Sequence, residues 1–355
     1  MCGGTTRNNR RSAPACRMQA MAKRLNTSAW TRLFSRSAAA MARGSLRAGR
    51  QALAQAGRSA LNDQRPPPGP GDWLAGLAIA PVGVLGYRLY RPPGLQRGAK
   101  LPLLVMLHGC GQTARSFALS TRMNRIAAKA GFFVLYPEQD RLTNPQGCWN
   151  WYQTANGRVD REVALLMAAI DQVSLLYPVD RDRVAVAGLS AGASMAALLV
   201  TSHPGRFKAL AMHSGIAPGV AQSGLSALGA MQGRGKRAAF AATPGAMADD
   251  WPALLVIQGG GDAVVAASNG AEAAQLWADA AGARAGPTQR VQRGQRYALL
   301  RTDYCCLGRT VATQVDIALL GHAWSGGAAS QPFSDARGPD ASRMIWSFAA
   351  CQFAM

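Results

Sequence analysis

The segment Leu101–Leu107, Leu-Pro-Leu-Leu-Val-Met-Leu, contains no polar side chain. A strand with one wet face alternates apolar and polar residues, so a run without alternation reads as a strand buried on both faces. Burial on both faces requires helices above and below the sheet, hence parallel strands joined by helical crossovers. The rest of the chain supplies both kinds of element. Apolar runs at Val82–Leu89, Phe132–Tyr136, Val184–Ala187, Ala209–His213, Leu254–Gln258 and Val315–Leu320 predict further strands. Helical periodicity predicts helices over Ser116–Ala130, Arg161–Leu176, Ala191–Thr201 and Asp340–Ala350. In the second of these, Val163, Leu166, Ile170 and Val173 share one face. The expected fold class is α/β, with a mostly parallel, doubly wound sheet.

The chain has 355 residues, enough for a domain-sized core with a tail left over. The tail is where the charge lies. Of 39 Lys/Arg against 18 Asp/Glu, thirteen basic residues fall within positions 1–65, where Asp63 is the one acid. Pro66-Pro67-Pro68-Gly69-Pro70-Gly71 then breaks any regular structure. Two regions are expected: a basic extension and linker over 1–71, and an α/β domain over 72–355. Within the extension, residues 22–43 place Leu25, Ala29, Leu33 and Met41 on one stripe, joined by Trp30 and Phe34. Lys23, Arg24, Arg32, Arg36 and Arg43 surround it. That pattern predicts a basic amphipathic helix suited to an anionic membrane or granule surface. Nucleic acid is not an expected partner, because the tail interleaves few aromatics and shows no known module. The first 60 residues hold no apolar core of a secretory signal, so the expected residence is cytoplasmic or granule-associated. Seven cysteines are too few for a disulfide scaffold at this length.

Val184-Ala185-Val186-Ala187-Gly188-Leu189-Ser190-Ala191-Gly192 is a predicted strand running through Gly-x-Ser-x-Gly into a predicted helix. Such a turn lifts a serine hydroxyl above the sheet at a helix N-terminus, where free N–H groups favour developing negative charge. The hydroxyl needs a base to take its proton. Of the four histidines, only His322 follows both the serine and a plausible acid, in Gly321-His322-Ala323-Trp324 after a strand. His108 is expected to buttress its loop, and His213 to be structural. Leu254-Leu255-Val256-Ile257-Gln258-Gly259-Gly260-Gly261-Asp262 ends a buried strand in a carboxylate, making Asp262 the expected acid over Asp249, Asp250, Asp303 and Asp316. The glycine-rich bend Leu107-His108-Gly109-Cys110-Gly111 offers a second backbone donor beside Ala191, from Cys110 or Gly109. Residues 217–250 read as an insertion over the face that carries these groups. No Cys/His spacing suggests a metal, and this chemistry requires no cofactor.

These residues resemble the polyhydroxybutyrate depolymerase-like esterases, which include feruloyl and acetylxylan esterases and have the α/β-hydrolase fold. The likeness is carried by Leu107-His108-Gly109-Cys110-Gly111-Gln112-Thr113, Leu135-Tyr136-Pro137-Glu138-Gln139 and Asn144-Pro145-Gln146-Gly147-Cys148-Trp149-Asn150-Trp151. Gly188-Leu189-Ser190-Ala191-Gly192 and Gly321-His322-Ala323-Trp324 complete it, over about residues 80–350. The resemblance implies ester hydrolysis, with short-chain 3-hydroxyalkanoate polymers or oligomers as leading substrates and feruloyl, acetyl or other small esters as the alternative. It implies that Trp149, Trp151 and Trp324 border the substrate cleft. Cys110 and Cys148 would pair in secreted relatives and stay reduced in a cytoplasmic member. Extracellular residence, as in those relatives, is the alternative location. A reading of another class makes the protein a surface-binding factor acting through its cationic tail.

Overall fold

The computed structural model describes residues 65–234 and 251–355. The segment 22–43 therefore lies outside the described residues, as does most of the second half of the 217–250 insertion.

The sheet opens with an antiparallel hairpin, β1 (Asp72–Ala80) and β2 (Gly83–Arg91). Its centre is the set of apolar runs: β3 (Leu101–Leu107), β4 (Phe133–Pro137), β5 (Val179–Leu189), β6 (Ala209–His213) and β7 (Ala253–Gly259). Short strands β8 (Arg284–Ala285) and β9 (Gln289–Val291) then precede the antiparallel pair β10 (Leu299–Cys306) and β11 (Arg309–Ile317). The order across the sheet is β1-β2-β4-β3-β5-β6-β7-β11-β10-β8, with β9 paired to β10. From β4 to β11 all neighbours are parallel. Their C-terminal ends, and the loops that leave them, thus share one edge.

The helices are α1 (Ala114–Thr121), α2 (Met123–Ala130), α3 (Arg158–Leu176), α4 (Ala191–Ser202), α5 (Gly224–Met231), α6 (Ser268–Ala280) and α7 (Ala341–Phe353). Two apolar cores lie on opposite faces of the sheet. Leu103, Val105 and Leu107 of β3 point into one, with residues of α3, α4 and α6. Leu104 and Met106 point into the other, with residues of α1, α2 and α7. Each fully buried aliphatic side chain of this kind contributes about 1.5–3 kcal/mol relative to exposure.

Some element boundaries depart from expectation. The helix predicted over Ser116–Ala130 is two helices, because Arg122 takes a left-handed conformation (φ 55°) that ends α1. The Arg122 guanidinium donates to the carbonyls of Gly326 and Gly327, so the break is tied to a distant loop. The hairpin begins ten residues before its predicted strand. The strand predicted over Val315–Leu320 starts earlier and ends at Ile317. The Pro66–Gly71 run lies along the domain: Tyr90 donates its hydroxyl hydrogen to Pro70 O at 2.6 Å, and Arg115 donates to Arg65 O at 2.7 Å. No helix among the described residues is long and apolar enough to cross a membrane.

Candidate active site

The chain goes from β3 to β4 on one side and to β5 on the other, so the sheet's order reverses at β3. In open α/β sheets this switch leaves a crevice at the strands' C-terminal ends. Leu107 pairs with Gly188 there, so the His108–Cys110 bend and Ser190 leave adjacent strands side by side.

Ser190 sits between β5 and α4 with φ 56° and ψ −123°, a strained backbone for a residue with a side chain. Two things hold it. Its N–H donates to His213 O at 2.9 Å on β6. The helix behind it packs so closely that a Cβ on Gly192 would overlap the carbonyl of Leu107.

The loops after β7 and β11 bring up the other two groups. Gly260 N donates to Ile317 O at 2.9 Å and Gly261 N to Leu320 O at 3.0 Å, zipping the two loops together. A Cβ on Gly259 would meet the Leu320 carbonyl, so this approach requires glycine. Asp262 Oδ2 thereby stands 2.8 Å from His322 Nδ1, and His322 Nε2 stands 3.0 Å from Ser190 Oγ. A carboxylate only accepts, so Nδ1 carries the hydrogen and Nε2 is left to accept from the serine hydroxyl. The Asp262 side chain is fully buried while the His322 side chain keeps some access to solvent. Burial pushes the Asp262 carboxyl upward, but the hydrogen bond and charge of His322 and the N–H groups of Val265 and Val264 outweigh it. The result is a pKa below the usual aspartate value. Of the other acids considered, Asp303 accepts from Thr313 and Asp316 from Gln314, away from any histidine.

Backbone donors flank the serine. Neither Cys110 N–H nor Ala191 N–H has a hydrogen-bond partner among the described residues. Gly109, the other donor considered, is excluded, because its N–H already donates to Gln112 Oε1 at 2.9 Å. His108 is fully buried and buttresses this bend. Its Nδ1 lies 2.9 Å from Gly109 O, and its Nε2 accepts from Gln139 N at 3.1 Å. Burial drives its pKa down to about 4, with Arg141 adding to the effect and the Gly109 contact opposing it. His213 is likewise buried, with its pKa driven to about 3 by burial and by the neighbouring His322, against the pull of Asp262. It bonds outward at two points: its carbonyl receives Ser190 N–H, and its Nε2 receives Ser325 N–H at 3.1 Å.

The tryptophans do not border an open cleft. Trp149 and Trp324 are fully buried and Trp151 nearly so. Trp324 stacks on the His213 ring with centroids 5.1 Å apart and donates to Ser342 Oγ. Trp149 leans on the His108 ring, and Trp151 packs edge-on against Tyr152. They are packing residues behind the site, since an apolar ring next to an imidazole serves as well for a core as for a cleft. Of the two states open for Cys110 and Cys148, the structure has the paired one: the two form a disulfide.

The residues missed from sequence are Gln112, Gln139, Asn150 and Glu162, all buried polar groups under the His108–Cys110 bend. The signal for Glu162 was its place four residues before Leu166 and eight before Ile170, an acid on an apolar stripe.

The sequence model of the family described as esterase PHB depolymerase matches residues 85–292. The chain belongs to this family. Among curated members and relatives, it is 33% identical over 125 residues to poly(3-hydroxyalkanoate) depolymerase C of Paucimonas lemoignei, covering 35% of this chain and 30% of that protein. It is 30% identical over 132 residues to feruloyl esterase B of Neurospora crassa, covering 37% of this chain and 44% of the relative. The match thus spans less than half the length of these relatives. The solved acetyl xylan esterase of Aspergillus awamori superposes with a TM-score of 0.54 at 18% identity, over 72% of this chain and 94% of that one. The esterase-family chain shares with it the α/β-hydrolase fold.

Proposed function

We propose that the protein is a serine carboxylesterase in which Ser190, His322 and Asp262 act as nucleophile, general base and orienting acid. The observation that carries this reading is the continuous relay from Asp262 Oδ2 through the His322 ring to Ser190 Oγ, with contacts of 2.8 and 3.0 Å. His322 Nε2 takes the hydroxyl proton as Ser190 Oγ attacks the ester carbonyl, and Asp262 stabilises the imidazolium. The N–H groups of Cys110 and Ala191 receive the oxyanion. Collapse expels the alcohol, which takes the proton from His322. Water then attacks the acyl-enzyme by the same route, releasing the acid and restoring Ser190.

The proposed substrates are poly(3-hydroxybutyrate) or short-chain hydroxyalkanoate oligomers, a class named in the first relative above. Small feruloyl or acetyl esters are the second reading, favoured by the other relatives. The basic segment 22–43 is proposed to hold the enzyme on a granule or anionic membrane surface. The Cys110–Cys148 disulfide supports the competing location, outside the reducing cytoplasm.

The test is hydrolysis of p-nitrophenyl butyrate and of amorphous polyhydroxybutyrate by wild type, Ser190→Ala and a variant lacking residues 1–64. Wild type should turn over both, Ser190→Ala neither, and the truncation only the soluble ester. Soluble turnover without polymer turnover would move the assignment to small esters. Undiminished activity in Ser190→Ala would refute the nucleophile.

A further inference from the structure

The mechanism above leaves one buried carboxylate unused. Glu162, in the first turns of α3, is 4% exposed. Its Oε1 accepts from Gln139 Nε2 at 2.7 Å and from Asn150 Nδ2 at 2.5 Å, and its Oε2 accepts from Asn150 N at 2.9 Å. All three partners are donors, so the site is built for an ionised carboxylate. No Lys or Arg among the described residues forms an ion pair with it. Burial raises its pKa against the pull of Asn150, Gln139 and the more distant Arg158. A charge kept inside without a counter-ion is expensive, and a neutral side chain could fill the same volume.

Two arms lead from Glu162, and both end on Cys110. The first goes through Gln139, whose backbone N–H donates to His108 Nε2. With Nε2 accepting, the neutral ring holds its hydrogen on Nδ1 and donates to Gly109 O at 2.9 Å. That carbonyl also accepts from Gln112 N at 3.2 Å. In a trans peptide the N–H points opposite the carbonyl, so tying down Gly109 O aims Cys110 N–H the other way. The second arm uses the Gln139 side chain, which donates to Cys148 O at 3.1 Å as well as to Glu162. Asn150, two residues further, is gripped by the same carboxylate. Cys148 is joined to Cys110 through the disulfide. The first arm sets the rotation of the Gly109–Cys110 peptide and the second sets its position.

We propose that Glu162 is a positioning residue for the oxyanion site, holding Cys110 N–H in place through Gln139–His108 and through Cys148. The inference rests on the esterase reading. Ser190, His322 and Asp262 make none of the contacts just described, so a defect here loosens the donor and leaves the nucleophile and base intact. Substrate in its ground state gains little from that donor, whereas a tetrahedral adduct gains much.

The isosteric change Glu162→Gln turns an amide N–H₂ toward one of the three donors. With p-nitrophenyl butyrate, kcat should fall about 10- to 100-fold, somewhat less than deletion of an oxyanion donor costs elsewhere, while KM stays within about twofold. Affinity for an alkylboronic acid, which forms a tetrahedral adduct on the serine, should fall by the same factor. Unchanged kcat in folded Glu162→Gln overturns the proposal, and so does a loss of kcat with undiminished boronate affinity. If that variant does not fold, Gln139→Met keeps the backbone N–H on His108 but removes the amide joining Glu162 to Cys148 O. The same parallel loss, smaller in size, is expected, and its absence is equally decisive. A wild type inert on every ester would instead sink the esterase reading itself.

Discussion

Two carboxylate–imidazole systems stand on either side of Ser190, and they are wired in opposite ways. Asp262 touches His322 directly, and the far nitrogen of that ring looks out at the serine. Glu162 reaches His108 only through Gln139, and the far nitrogen of that ring is spent on a backbone carbonyl. A carboxylate in contact with an imidazole stabilises its charged form and makes it a base. A neutral amide placed between them passes on orientation without charge. Burial completes the contrast: His108 is shut away and held neutral, with a pKa near 4. On the proposed mechanism the same two residue types thus give a proton carrier at one end and a fixed strut at the other.

The most forceful way to break this contrast is Asp262→Asn. The amide presents a donor to Nδ1, the ring takes the wrong tautomer, and kcat should drop about 10⁴-fold with the fold retained. A fall of less than about tenfold would mean that the direct contact is not what makes His322 a base. Cutting the disulfide that works beside the strut should cost less. Cys148→Ser severs the bridge between positions 110 and 148 while leaving Gln139 on His108. Its kcat should fall about tenfold, well short of deleting an oxyanion donor. Stability should fall by roughly 2–4 kcal/mol, read from urea unfolding. An undisturbed kcat would show that the hydrogen-bonded arm suffices alone.

The contrast also predicts how stability depends on pH. His108 and His213 have folded pKa values of about 4 and about 3, below the 6.5 of an unfolded histidine. From pH 6.5 downward the unfolded chain binds more protons at both positions. Stability should therefore drop on acidification, by about 1 kcal/mol per pH unit for each ring between pH 6.5 and 5. Glu162, with its raised pKa, opposes this, and Asp262, with its lowered one, weakens the fold only at lower pH. Unfolding midpoints between pH 6.5 and 5 should show the slope, and His213→Gln should flatten it by about half. A slope unaltered in that variant would mean that His213 is not held neutral.

The legible parts of the fold were those with a single physical cause. Strands β3, β4, β6 and β7 and the second half of β5 are buried on both faces, and their near-continuous apolar text says so, whereas residues 180–183 at the start of β5 hid that strand's first half. The hairpin was harder, because Leu77 and Ile79 face solvent while Ala78 between them is buried, which erases the alternation. The break at Arg122 left no mark, since the residue carries neither the glycine nor the proline that announces a stop. At the site, chain order and strand ends were enough to pick out Ser190, Asp262 and His322 as a group. Free and occupied N–H groups could not be told apart at Gly109 and Cys110, because the side chain that decides between them, Gln112, acts through its rotamer. The tryptophans failed for a similar reason: a motif gives identity at a position, while exposure depends on what the rest of the chain puts in front of it.

His213 is a clasp between the two halves of the relay. Its carbonyl holds the backbone of Ser190 and its ring holds Ser325, three residues beyond His322. The segments that carry Ser190 and His322 are thereby both hydrogen-bonded to one residue of a central strand. On the proposed esterase reading, activity should not fade gradually on warming. Turnover should hold until the sheet itself melts, and the loss of activity and the loss of structure should be a single event.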